Sequence, residues 1–199
     1  MILTVPNNSK ENTELVIKTI VEQVQAGDIQ AYTEIIRRFQ KQIYIYCYYL
    51  LGNKEEAEDA SQDIFIKGLE NIRKFTYTVS FSAWLYKIAH HHCIDLLKMK
   101  NKGYKFWTSF KQEHVSHLVH RQDYQYDDII HELLDKLTMD ERRILLLRSI
   151  EEYSFDEIAS IMELKPTTVR KKYERLRKKL LKEKNVGGEI HEHSFKTEG

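Results

Sequence analysis

Between Asp28 and Gly52, Tyr32, Ile35, Ile36, Phe39, Ile43, Tyr46, Cys47 and Leu50 recur at steps of three and four. That is the period of one buried face of an α-helix. Asp28 suits the N-cap, and Gly52 followed by Asn53 combines a stop with a fresh start. The 199-residue chain holds 7 Gly and only 2 Pro, so little interrupts such patterns elsewhere. These features predict an all-α protein. A single long stripe needs partners, and the sequence supplies them.

A second helix is expected over about Lys54–Asn71, with Ala57, Ala60, Ile64 and Leu69 inward and Phe65 flanking. "RKFTYTVSFS" has no helical period and reads as a loop. A third helix is predicted from near Phe81 to about Met99, with Leu85, Ile88, Ala89, His92 and Leu96 on one face. Residues 101–127 show no sustained period and read as a flexible linker. Ile130, Leu133, Leu134 and Leu137 then resume a helical face.

"TMDE" and "SFDE" are capping boxes, Thr138 with Glu141 and Ser154 with Glu157. Pro166 fits the first turn of a last helix that buries Val169, Tyr173, Leu176 and Leu180. The expected organisation is two small helical domains, 1–100 and 128–184, the linker 101–127, and a disordered tail 185–199.

Net charge is +1, but the charges are segregated. Lys165–Lys184 holds ten basic residues against two acids, and Glu132–Glu163 nine acids against four bases. Two short helices joined near Ile161–Lys165 fit a helix-turn-helix. With Val169, Tyr173 and Leu176 inward, helical geometry turns Thr167, Thr168, Arg170, Lys171, Glu174, Arg175 and Lys178 outward. Arg170 and Lys171 can donate to guanine and Glu174 can accept from cytosine. Lys172, Arg177, Lys178, Lys179 and Lys182 suit phosphates, whose contacts give affinity but little sequence choice. Glu163 stands where such turns usually carry Gly. A positive φ would strain it, so the turn is expected to be built differently.

"EAEDASQDIFIK", the aromatic loop, "WLYKIA" and "IDLLK" resemble region 2 of bacterial RNA polymerase sigma factors of the extracytoplasmic-function (ECF) type. The segment from "LTMDERRILLLRSIEEYSFDEIASIMELKPTTVRKKYERLRKKL" is similar to region 4 of the same family. With the helix at 29–51, the resemblance covers about three quarters of the chain, in the family's order.

The resemblance implies a non-enzymatic factor that binds core RNA polymerase and directs promoter-specific initiation through −10 and −35 recognition and DNA melting. Asp59, Gln62 and Asp63 match positions that dock on the polymerase, and Phe65 adds apolar contact. Phe75, Tyr77, Ser80, Ser82 and Trp84 match the loop that captures a flipped −10 base, with Tyr77 favoured for the contact. Lys87, His91 and Lys98, with His90 beside them, form a cationic face for phosphates; His91 replaces an expected Asn. The helix-turn-helix set (Thr167, Thr168, Arg170, Lys171, Lys172, Glu174, Arg175 and Lys178) becomes the −35 reader.

The implied partners are core polymerase, promoter DNA and, as in many family members, an anti-sigma protein. A stand-alone helix-turn-helix regulator is the alternative. An enzyme is disfavoured, because the chain has no phosphate-cradling glycine loop, nucleophile elbow or paired-histidine metal motif.

No metal and no cofactor is expected. "HHHC" at 90–93 points its side chains in different directions around a helix, and His92 falls in the apolar stripe. No apolar run spans a bilayer, and the start lacks a signal-peptide pattern, so a cytoplasmic location without membrane insertion is expected. Cys47 and Cys93 are expected as buried free thiols.

Overall fold

A computed structural model describes the backbone of residues 8–108, 130 and 132–193. Side chains are described within 12–182 of these, excepting 101–108 and 150. The described residues form helices and connections, with no strand among them. The chain divides into two compact units at Asp135/Lys136.

The first unit is built on four helices: α1 (Asn8–Gln25), α2 (Tyr32–Leu51), α3 (Lys54–Asn71) and α4 (Phe81–Thr108). α2 packs on α1, α3 and α4. Its predicted stripe is buried at Tyr32, Ile35, Phe39, Ile43, Tyr46, Cys47 and Leu50. Asp28 caps a short 3-10 turn, Ile29–Ala31, that leads into α2, by accepting the Gln30 and Ala31 N–H groups. Gly52 ends α2 in the left-handed conformation at φ 69°. Asn53 then caps α3 through the Glu56 N–H.

No helix is expected from the sequence before Asp28. α1 nevertheless buries Ile20, Val21 and Val24. Their spacing is a helical stripe too short to stand out by periodicity alone. α1 also fastens the loop after α3, because Gln25 Nε2 donates to the Ile72 and Phe75 carbonyls at 2.8 and 3.0 Å.

Close approach of α2 to α3 depends on Gly68. The buried Tyr32 hydroxyl donates to the Phe65 carbonyl at 2.9 Å. A Cβ on Gly68 would lie 2.5 Å from that hydroxyl oxygen. Gly68→Ala is therefore expected to displace the buried Tyr32 hydroxyl from its acceptor, destabilising this unit by about 1–3 kcal/mol. Thermal denaturation read on this unit checks it; an unshifted melting temperature refutes it.

Cys47 and Cys93 are buried free thiols from α2 and α4, and the Cys93 thiol donates to Cys47 Sγ at 3.7 Å. Hydrogen bonding between the two thiols and then burial push the Cys47 thiol far up, so the unreactive thiol form prevails. α4 continues to Thr108, nine residues past the predicted end at Met99. No proline interrupts that extension. The linker residues 109–127 lie outside the described residues.

The second unit contains α5 (Met139–Ile150), α6 (Phe155–Met162) and α7 (Pro166–His193). Both capping boxes form, at Thr138–Glu141 and Ser154–Glu157. Its core takes Ile144, Leu146, Leu147, Ile158, Ala159, Ile161, Met162, Val169 and Leu176. α7 runs to His193, past the point where a disordered tail was expected. Residues 194–199 lie outside the described residues.

The turn after α6 corrects the reading of Glu163. It is built conventionally, with Glu163 itself left-handed at φ 54°, ψ 42°. The Glu163 and Leu164 N–H groups both return to the Ala159 carbonyl, closing the helix end as glycine does in a Schellman turn. The backbone bonds hold a non-glycine residue where it is intrinsically disfavoured by roughly 1–2 kcal/mol. Glu163→Gly is expected to raise stability of this unit by about 0.5–1 kcal/mol, after the added unfolded-chain entropy of Gly. A denaturant midpoint that fails to rise counts against the strain.

Candidate functional site

Three exposed surfaces emerge, two on helix faces opposite their core stripes and one around a loop and the outer face of the helix after it. The first is on α3. Ala57, Ala60, Ile64, Phe65 and Gly68 are buried. At about 100° per residue, Glu55, Asp59, Gln62, Asp63 and Ile66 fall within one outward arc of about 100°. Asp59, Gln62 and Asp63 are exposed.

Phe65, placed on that face from sequence, is 7% exposed and belongs to the core. The reason is angular: at 100° per residue Phe65 lies about 60° from Gly68, on the flank of the buried stripe. Ile64 is likewise buried. The exposed apolar side chain on the acidic arc is Ile66, at 56%. Counting the arc around Asp59 would have found it.

Asp63 also lies 3.5 Å from His92 Nε2. Lys67 Nζ lies 2.5 Å from His92 Nδ1. Burial and then the Lys67 cation lower the His92 pKa, outweighing Asp63 and Asp95, so the ring stays neutral near pH 7. Among the described residues, no group of three or more His, Cys, Asp and Glu is placed to hold a metal ion.

The second surface surrounds the loop between α3 and α4. Phe75 was expected to meet DNA, but it is 5% exposed. Its ring lies 5.4 Å from Phe81, 5.2 Å from Trp84 and 4.8 Å from Tyr77. It is the hub of an aromatic cluster, with its backbone tied down by Gln25. Trp84 is half-buried against the same cluster.

Tyr77 is 44% exposed, the outward ring of the loop. Its hydroxyl donates to the Lys18 carbonyl at 3.2 Å, and Lys18 Nζ lies 5.5 Å from its ring centre. Ser80 accepts the Ala83 N–H at 3.2 Å, capping the start of α4, and lies 3.2 Å from the Ser82 hydroxyl. Tyr77, Ser80, Phe81 and Ser82 line one side of a cavity of about 300 Å³. Glu14, Leu15, Ile17 and Lys18 of α1 line the other. This α1 wall was missed with α1 itself.

Along α4, Lys87, His91 and Lys98 share an outward arc of about 40° at 100° per residue. His91 and Lys98 are exposed and Lys87 is half-buried. Lys98 pairs with Asp95 at 3.2 Å. His90 departs from the expectation: it is 5% exposed, because it lies on the edge of the stripe formed by Tyr86, Ala89 and Cys93.

The third surface is on α7. Val169 and Leu176 are fully inside, with Tyr173 and Leu180 half-buried. Thr167, Arg170, Lys171, Glu174, Arg175 and Lys178 are exposed, and Thr168 is half-buried. Lys172 belongs with the inner side instead. Its Nζ lies 2.8 Å from Asp140 Oδ2 on α5, and Arg143 also bonds Asp140. Burial would raise the Asp140 pKa, but the Lys172 hydrogen bond and the Arg143 and Lys172 charges hold it below its ordinary value. Lys172 is only about 60° around the helix from Val169, which accounts for its turning inward. Lys179 similarly donates to the Lys136 carbonyl at 2.6 Å and lies 3.5 Å from Glu141.

The surfaces coincide with two known sequence families. Sigma-70 region 2 matches residues 35–103, and sigma-70 region 4 matches residues 127–180. The ECF RNA polymerase sigma factor SigW of Bacillus subtilis is 32% identical over 183 residues, covering 85% of this chain and 97% of SigW. RNA polymerase sigma factor YlaC of the same organism is 30% identical over 135 residues, covering 65% of this chain and 78% of YlaC.

The fold also resembles the sigma factor RpoE solved with the anti-sigma factor NepR from Bartonella quintana. That similarity has a TM-score of 0.65 at 18% identity and covers 77% of this chain and 96% of RpoE. CnrH, solved with the cytosolic domain of CnrY, gives a TM-score of 0.66 at 19% identity, covering 84% of this chain and 96% of CnrH.

The chain belongs to the ECF sigma factors, which direct RNA polymerase to promoters. The stand-alone regulator is thereby set aside, since region 2 accounts for most of the first unit.

Proposed function

We propose that the sigma-factor activity is divided among the three surfaces. The α3 arc docks on core polymerase, the loop and outer face of α4 engage the −10 element, and α7 reads the −35 element. The observation that carries this division is the separation of chemistries. An acidic arc with one apolar residue sits on α3, an exposed ring beside a cationic arc on α4, and a basic arc carrying a single acid on α7.

At the −10 element, Tyr77 offers the stacking face for an unpaired base, with Ser80 and Ser82 as polar neighbours. Base–aromatic stacking returns roughly 1–3 kcal/mol, against a few kcal/mol for flipping. Lys87, His91 and Lys98 run along the strand's phosphates. On α3, Ile66 is the apolar contact amid Asp59, Gln62 and Asp63. The protein acts by binding and carries out no chemistry of its own. It works in the cytoplasm with the polymerase, and an anti-sigma protein is its class of regulator. No described helix is long and apolar enough to cross a membrane.

The test is reconstituted initiation. Purified protein with core enzyme should give a promoter-specific run-off transcript that is lost when either the −10 or the −35 block is replaced. The protein without polymerase should give no comparable promoter gel shift. A transcript insensitive to replacement of either block refutes the division.

A further inference from the structure

Arg170 does not stand alone on α7. Its guanidinium lies 5.5 Å from the ring centre of Phe155, the first residue of α6. The Arg148 guanidinium lies 5.3 Å from the same centre. The Tyr173 ring lies 5.4 Å away, tilted by 56°. Arg148 is itself fixed, since its Nη1 donates to the Tyr153 carbonyl at 2.6 Å and reaches the Glu152 carbonyl at 3.5 Å. Phe155 is thus seated between a tethered cation, a ring of α7 and the reading side chain.

We infer that Phe155 is a positioning residue that holds Arg170 ready for its base contact. This rests on the assignment of Arg170 to DNA reading. The physical case has three parts. An exposed arginine samples many rotamers, and binding must freeze them. A ring face attracts a guanidinium at this range, narrowing the set before DNA arrives. The neighbouring Arg148 charge, tethered to backbone carbonyls, repels a second guanidinium and biases Arg170 away from the α5–α6 connection. Because a guanidinium reads guanine through a two-pronged geometry, orientation affects discrimination more than it affects general attraction.

The experiment uses the full chain reconstituted with core polymerase, selecting from promoter fragments randomised across the −35 element. Wild type, Arg170→Ala, Phe155→Leu and Phe155→Tyr are compared. Arg170→Ala should flatten the preference at the position it reads. Phe155→Leu should weaken preference at that same position by roughly two- to fivefold, leaving other positions unchanged, and Phe155→Tyr should restore it. Unchanged preference in Phe155→Leu, or an even loss at every position, overturns the inference while leaving the assignment of Arg170 intact. No change in Arg170→Ala overturns that assignment and the inference with it.

A direct readout guards against a folding defect. In the free wild-type protein, the Arg170 δ-methylene protons should be shifted upfield by the ring in NMR spectra. Random-coil values there overturn the inference whatever the variants do.

Discussion

Gln62→Ala combined with Asp63→Ala is expected to weaken core polymerase binding by about 2 kcal/mol or more, roughly thirtyfold, with the fold unchanged. Both side chains are exposed on the outward arc of α3, so neither change opens a cavity. Asp63 faces His92 only at 3.5 Å, and that ring is neutral, so little intramolecular attraction is lost. The removed charge and amide would act on the polymerase. An acidic arc speeds encounter with a basic surface, and contacts at its centre slow dissociation. Affinity can be measured by titrating labelled protein with core enzyme, with circular dichroism as the folding control. Equal affinity places the docking face elsewhere. Phe65→Ala would be a misleading probe, because it empties core volume and destabilises the unit instead of testing the interface.

Arg170→Ala is expected to cost about 1–3 kcal/mol at a matching −35 site, or roughly 5- to 150-fold, and to relax choice at one position. Its side chain is exposed at the entry to α7, the part of such a helix that enters a major groove. The loss should be specific, whereas Lys178→Ala should weaken all sequences nearly equally. Competition binding by the reconstituted polymerase against single-base −35 variants separates the two patterns. An unchanged rank order of sites removes Arg170 from base reading.

Long-period features were legible in the sequence. The α2 stripe, Gly52–Asn53, both capping boxes and the Val169–Leu176 face depend on local spacing, and local spacing is visible in one chain. The misreadings have other causes. Phe65 and His90 sit at the edge of their own helix's buried stripe, whereas the sides of Phe75 and Lys172 depend on neighbours, the aromatic cluster and Asp140 on α5. Periodicity places them near a boundary and tertiary contact decides the rest. Glu163 failed for another reason. The strain was recognised, but the backbone hydrogen bonds that overcome it cannot be read from residue type. The pairing of Arg148 and Arg170 around Phe155 was invisible because those residues lie on three different helices.

The inward turn of Lys172 and Lys179 bears on how this factor responds to ionic strength. Each lysine that reaches a DNA phosphate releases close to one condensed counterion, so affinity falls with the logarithm of salt in proportion to the number of such contacts. Ten basic residues between Lys165 and Lys184 suggest a steep dependence. Two of them already neutralise or bond groups within their own unit, at Asp140, Lys136 and Glu141, and would have to give up those partners to reach a phosphate. If α7 binds DNA, its affinity should therefore fall less steeply with salt than ten basic residues imply, with part of the positive charge bracing α7 against α5.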